Sequence, residues 1–232
     1  MTGAVRVSGP RAPGAPTPVT IDAAVCGERA ADESLIVDAQ GRLRNAVVVL
    51  RPASPAPAAG PPGPEVRVDN AGCRFVPRVQ IVQRGQPVRV HNADPVLHNT
   101  RVAVVGPPAV AVANLALARA GVTMELTRRL EARLPSGPPE VIVRLGCDVH
   151  PWMRGFVVVH DSPYFAVSGD DGSFTIDKVP VGKYKLTAWH SQYGLKTADV
   201  EVAEGKTAEA KFEFSDKDEA PADNKDELKG LW

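Results

Sequence analysis

Cys147-Asp148-Val149-His150-Pro151-Trp152-Met153 sets a thiol, an imidazole and a thioether at even spacing, just ahead of the β-branched run Val157-Val158-Val159. A second imidazole, His98, lies well upstream. Taken singly, each has an ordinary structural reading. A cysteine is a small buried hydrophobe, a methionine fills core gaps, and a histidine is a hydrogen-bonding group of core or surface. Taken together they form the donor set that soft, redox-active copper prefers, a trigonal Cys-His-His plane with a weak, long Met contact. Zinc shares Cys and His ligands, but a thioether suits it poorly, so Met153 tips the choice to copper. Spacing explains how the loop works. Cys147 ends a strand, a short turn stiffened by Pro151 brings His150 and Met153 round, and the valines restart an extended run. His98 arrives from a neighbouring strand, which makes the site a product of the fold.

The upstream half contains Phe75-Val76-Pro77, Gly85-Gln86-Pro87-Val88, Asn92-Ala93-Asp94 and His98-Asn99. With Cys147 to Val159, this order resembles the cupredoxins, of the amicyanin and plastocyanin kind: an apolar strand, a Gly turn, a strand ending in Asn-x-Asp, the first His, then a tight Cys-x2-His-x2-Met loop. The resemblance implies a Greek-key β-sandwich holding one type 1 (blue) copper on His98, Cys147, His150 and Met153. It also implies an electron carrier that transforms no substrate and is not an enzyme. Asn99 is expected to tie the ligand strand to the Cys loop, with an ordinary turn amide as the bland alternative. Cys147 supplies the covalent path and His150, placed near the surface, the port for the electron. Trp152 either gates docking there or packs inward, and Pro151 shapes the same rim. The implied partner is a redox protein, a dehydrogenase or a cytochrome, in the periplasm or another extracytoplasmic space.

Downstream, period-2 alternation runs through Phe174 and Ile176, Tyr184 to Ala188, Val200 and Val202, and Phe212 and Phe214. Gly172-Ser173-Phe174-Thr175-Ile176 and Val179-Pro180-Val181-Gly182-Lys183-Tyr184 resemble the carboxypeptidase regulatory-like, transthyretin-like domain, a small β-sandwich. The whole chain thus resembles bacterial methylamine-utilisation-type proteins that join the two modules. The expected class is all-β, in four parts: N-terminal strands and a Pro-rich linker over 1–64, the cupredoxin-like domain over 65–162, the second sandwich over 163–214, and a disordered charged tail over 215–232. Candidate strands at 4–7, 19–21 and 46–50 are read as able to complete the second sandwich, with the cupredoxin inserted between its halves. Residues 112–134 are rich in helix formers, yet the resemblance implies an irregular insertion with one or two strands.

Composition agrees. The chain has 232 residues, 22 prolines and 20 glycines, which punctuate short apolar runs as all-β chains require. Lys+Arg and Asp+Glu are both 27, so bulk charge points to neither nucleic acid nor a charged membrane. No apolar run approaches the roughly 18 residues that span a bilayer, so no transmembrane segment is expected. With Cys147 as a ligand, Cys26 and Cys73 remain either as a disulfide, implying an oxidising compartment, or as two unrelated buried thiols. Met1 to Val5 has neither the basic start nor the apolar core of a signal peptide, so the extracytoplasmic reading requires an already trimmed chain.

The other histidines have bland readings: His91 at a surface or edge, His160 as a structural group, His190 within the second sandwich. Rival functions are a non-redox copper carrier and a structural extracellular protein with a vestigial metal site. A Cys-His nucleophile lacks a third orienting residue or an oxyanion motif.

Overall fold

Along Val88–Asn92, residues 88, 90 and 92 are buried while Arg89 is exposed and His91 half-buried, the two-residue period of a half-buried strand. Glu209–Phe214 alternates in the same way, whereas strands such as His98–Val104 and Arg154–His160 are buried at nearly every residue, and the fold is all-β. The structure is a computed structural model and describes residues 1–9, 14–53, 61–106, 108–136 and 140–218. Residues 54–60 of the expected linker and 219–232 of the expected tail lie outside the described residues. The described residues gather into two units. One comprises 1–9, 33–53 and 162–218, the other 14–32, 61–106, 108–136 and 140–161.

The second of these units holds the candidate ligands. Its five-stranded sheet runs, in spatial order, Val110–Leu117, His98–Val104, Glu140–Gly146, Arg154–His160 and Val79–Gln83. A four-stranded sheet runs Thr123–Glu125, Val88–Asn92, Val66–Asn70 and Phe75–Val76. Val68, Val88, Val90, Val102, Leu117, Val143, Leu145 and Val157 share one buried core with Cys147 and Met153. Gly155 lets its strand lie close to the Phe75 turn, because a Cβ there would come within 3.0 Å of both the Arg78 carbonyl and the Phe75 side chain.

Residues 112–134 form neither one helix nor a featureless loop. They continue the strand Val110–Leu117, add Thr123–Glu125 and close with the single-turn helix Thr127–Glu131. Leu115, Leu117, Leu126 and Leu130 join the core, so burial of apolar side chains overrides local helix propensity. The segment 14–32 contributes a two-residue ladder, Thr17–Pro18 with Arg29–Ala30, and the short helix Ala23–Cys26. The strand expected at 19–21 is displaced to this ladder.

The other unit is built from both ends of the chain. Thr2–Val7 pairs in parallel with Glu209–Phe214 and antiparallel with Ser173–Thr175. Val47–Pro52 lies between Phe165–Val167 and Gly182–His190, and Gly194–Val202 completes that second sheet. Val5, Leu43, Val48, Leu50, Ile176, Leu186, Phe212 and Phe214 form a separate core. The strands expected at 4–7 and 46–50 therefore belong with the downstream strands, while segment 14–32, with the one expected at 19–21, belongs to the other unit.

Candidate metal centre

His98 opens the strand His98–Val104, and Cys147 follows the last residue of Glu140–Gly146, two strands paired to each other. That pairing brings the first imidazole beside the thiol. After Cys147 the chain turns tightly, with the Met153 N–H donating to the His150 carbonyl at 2.9 Å. Pro151 sits exposed at the tip of this turn. Met153 is buried in the same apolar cluster as Cys147.

The Cys147 Sγ lies 3.8 Å from His150 Nδ1 and 4.0 Å from His98 Nδ1. A trigonal ion at metal–sulfur and metal–nitrogen lengths of about 2.3 and 2.0 Å would separate S from N by about 3.7 Å. The three donors therefore have the spacing of a site that one ion can fill. His98, Cys147 and His150 are all buried, with no exposed surface on either imidazole.

Each imidazole is held by a carboxylate on the nitrogen that faces away from the thiol. His98 Nε2 bonds Asp94 Oδ2 at 2.9 Å, and His150 Nε2 bonds Asp22 Oδ2 at 3.0 Å. Asp94 is itself seated on two backbone amides, Gly72 N–H at 2.7 Å and Cys73 N–H at 2.9 Å. Both residues are in the left-handed region, φ 58° and 54°, so successive amides converge on the carboxylate as in an anion nest. Burial works to raise the Asp94 carboxyl, but these amides and His98 more than reverse it and hold it below the usual carboxylate range. Burial lowers His98 and outweighs the opposing pull of Asp94, which keeps a neutral, ligand-ready ring. Burial raises the Cys147 thiol despite hydrogen bonds that favour the thiolate.

Asn99 sits at the hub between the two ligand strands. Its Oδ1 accepts from the Asp148 N–H at 2.7 Å and from Cys147 Sγ at 3.3 Å. Its Nδ2 donates to Asn114 Oδ1 at 2.6 Å and Asp148 Oδ2 at 2.8 Å. Arg101 pairs with the other Asp148 oxygen at 2.7 Å. This amide thus ties the Cys loop to the His98 strand and, through Asn114, to the strand Val110–Leu117.

Cys26 and Cys73 form a disulfide. Their sulfurs lie close to the imidazoles, in clusters with His150 and with Asp94 and His98. Because both sulfurs are taken up in the S–S bond, neither cluster is a thiolate site. Trp152 is half-buried against the core, donates Nε1–H to the Cys73 carbonyl at 3.2 Å and lies 5.2 Å from the His150 ring. It packs inward as part of the site wall.

The expected surface position of His150 is not observed. Residues 14–32 cross its edge and Asp22 takes its outer nitrogen, so no imidazole is bare. Asp22 escaped the sequence reading because 128 residues separate it from His150. Asp94 had a detectable signal, four residues before His98 on a chain leaving its strand. The remaining histidines are outside the centre. His91 Nδ1 bonds Thr123 Oγ1 at 2.7 Å on an outer strand, His160 is buried at the end of Arg154–His160, and His190 packs 5.4 Å from Tyr193 in the other unit.

Among the described residues, no helix is long and apolar enough to cross a membrane. The family model that matches, over residues 148–210, is that of polysaccharide lyase family 4, domain II. No curated protein matches the chain. Similar solved structures include a Cu(I) amicyanin mutant, at 22% identity over 48% of this chain and 98% of that one, with a TM-score of 0.30. A purple cupredoxin from Nitrosopumilus maritimus shares 18% over 42% of this chain and 99% of its own, with a TM-score of 0.28. A Cu-containing nitrite reductase (NirK) from Thermus scotoductus SA-01 shares 24% over 47% of this chain, at a TM-score of 0.30; the match spans only 25% of the reductase.

Proposed function

We propose that the unit carrying His98, Cys147 and His150 is a type 1 copper domain that carries single electrons. The observation that supports this most is geometric. Two imidazole Nδ1 atoms face one thiol at 3.8 and 4.0 Å, and each ring has its other nitrogen bound to a carboxylate. His98, Cys147 and His150 would hold the ion, with Met153, buried in the same cluster as Cys147, as the thioether donor. Copper bound there supplies a one-electron couple. The protein's own residues do the rest: Asn99 fixes the Cys loop to the His98 strand through Asp148, Asp94 and Asp22 fix the two rings, and the apolar core excludes water. A donor set already in place costs little rearrangement between oxidation states.

In this reading the chain transforms no substrate. Electrons pass between redox protein partners, of dehydrogenase or cytochrome type, through the thin wall that covers His150. The Cys26–Cys73 disulfide supports an oxidising, extracytoplasmic compartment. The second unit is read as a carboxypeptidase regulatory-like, transthyretin-like appendage with a structural or binding role. Burial of all three donors disfavours a carrier that hands its metal on.

The test is a visible absorption spectrum of the purified chain after adding Cu(II), with Cys147→Ser alongside. An intense thiolate-to-copper band in the parent and none in the variant is expected. A colourless parent would overturn the reading.

A further inference from the structure

His150 is held from a direction that the ligand loop does not supply. Its partner, Asp22, stands in a left-handed conformation (φ 55°) at the head of the turn Ala23–Cys26. The Asp22 carbonyl accepts from the Val25 and Cys26 N–H groups at 2.9 Å each. Cys26 is bonded to Cys73, and the Cys73 amide seats Asp94, the partner of His98. One disulfide therefore ties the Asp22 segment to the residue whose backbone amide seats Asp94. Asp94 holds its imidazole from within the sandwich, Asp22 from a segment outside it.

We infer that Asp22 is a positioning residue for His150, carried to the centre by the disulfide-held segment 14–32. A neutral imidazole has one N–H. A carboxylate 3.0 Å from Nε2 keeps that proton on Nε2 and leaves the Nδ1 lone pair facing Cys147, the tautomer a metal requires. This part holds with or without a metal. The second part rests on the copper reading. A negative charge beside a ligand imidazole in a poorly solvated site favours the more highly charged, oxidised ion. Asp22 thus biases the couple towards Cu(II), in parallel with Asp94 on the other ring.

The alternative is that Asp22 merely pins segment 14–32 down, and three variants separate the two. In metal-free parent protein, 15N NMR is expected to show a protonated Nε2 and a bare Nδ1 on both His98 and His150. In Asp22→Ala, His150 alone should move towards a mixture of tautomers. Asp22→Asn keeps an oxygen that accepts the Nε2 proton but loses the charge, so it should retain the tautomer. Loaded with copper, both variants should have a higher midpoint potential than the parent, and Asp22→Ala should bind copper roughly 10- to 100-fold more weakly. Asp22→Glu should restore part of the parent behaviour.

The inference is overturned if His150 keeps its parent pattern in Asp22→Ala. It is equally overturned if His98 and His150 shift together, as general loosening would cause, or if both copper-loaded variants keep the parent potential. Should the parent take up no copper, the proposed function fails, and the metal-free tautomer experiment still decides the role of Asp22.

Discussion

The two units are both β-sheet structures with apolar cores, yet they bury different things. The unit built from the chain ends fills its interior with rings and branched aliphatics: Phe174, Ile176, Tyr184, Tyr193, Phe212 and Phe214. Its buried polar residues are few and mostly small, among them Ser162, Ser168 and Thr187. The other unit buries Asn70, Asn92, Asp94, His98, Asn99 and His150. Burying an imidazole or an amide costs several kcal/mol unless its hydrogen bonds are met. Around the metal centre they are met, by Asp94, Asp22 and the Asn99 hub. The chain-end unit buries one imidazole, His190, packed on Tyr193, whereas the other gathers two, 4.6 Å apart, beside a single thiol.

That contrast can be broken on the apolar side first. Phe214 is fully buried and stacks 5.4 Å from Tyr193. Phe214→Ala should destabilise its unit by about 3–5 kcal/mol through lost burial and an unfilled cavity, read by chemical denaturation. The copper band should not change, since every candidate ligand comes from the other unit.

The staple on the polar side comes next. The disulfide closes a loop with a sequence separation of 47, so the chain-entropy model assigns it about 4 kcal/mol. Cys26→Ser with Cys73→Ser should lower the unfolding midpoint and also free Asp22 from His150. The double variant should therefore copy the NMR signature of Asp22→Ala. Lowered stability with an unchanged His150 would show that the staple holds the fold but not the site.

Asn99→Ala probes the hub. It removes the acceptor of the Cys147 and Asp148 hydrogen bonds and both donors to Asn114 and Asp148. Copper affinity should fall roughly 10- to 100-fold, as measured by competition with a chelator, and the thiolate-to-copper band should shift. Parent affinity and spectrum in this variant would make Asn99 an ordinary turn amide.

The mildest lever is pH. Burial raises the Cys147 thiol, and a metal takes the thiolate, so binding expels a proton at any pH below that raised value. Copper affinity should therefore climb as pH rises, by roughly tenfold per unit for one displaced proton, and competition titrations at several pH values would show it. The aromatic core of the other unit has no matching dependence.

Much of the centre was legible because its pattern is local. Cys147, His150 and Met153 share one short turn, and His98 and Asn99 precede an apolar strand by a pattern that short motifs can carry. Alternation also marked the strands of 174–214, and short apolar runs between Pro- and Gly-rich turns marked those near 4–7 and 46–50. In the Ala- and Arg-rich stretch from 112 the expected one or two strands form despite helix-favouring residues, since helix propensity is a weak prior that Leu115, Leu117 and Leu126 override by joining the core.

By itself the sequence determined the order of two imidazoles, a thiol and a thioether along the chain and the all-β class, because residue type and spacing of a few positions decide both. Only the tertiary structure decided what surrounds the donors. Thr2–Val7 finds Glu209–Phe214 as a parallel partner, a pairing that no turn specifies and that needs the intervening chain to fold back. Asp22 reaches His150 across 128 residues, from a segment that the disulfide Cys26–Cys73 fastens down. Contacts of that kind are set by the closure of long loops around a formed core, and no local spacing records them.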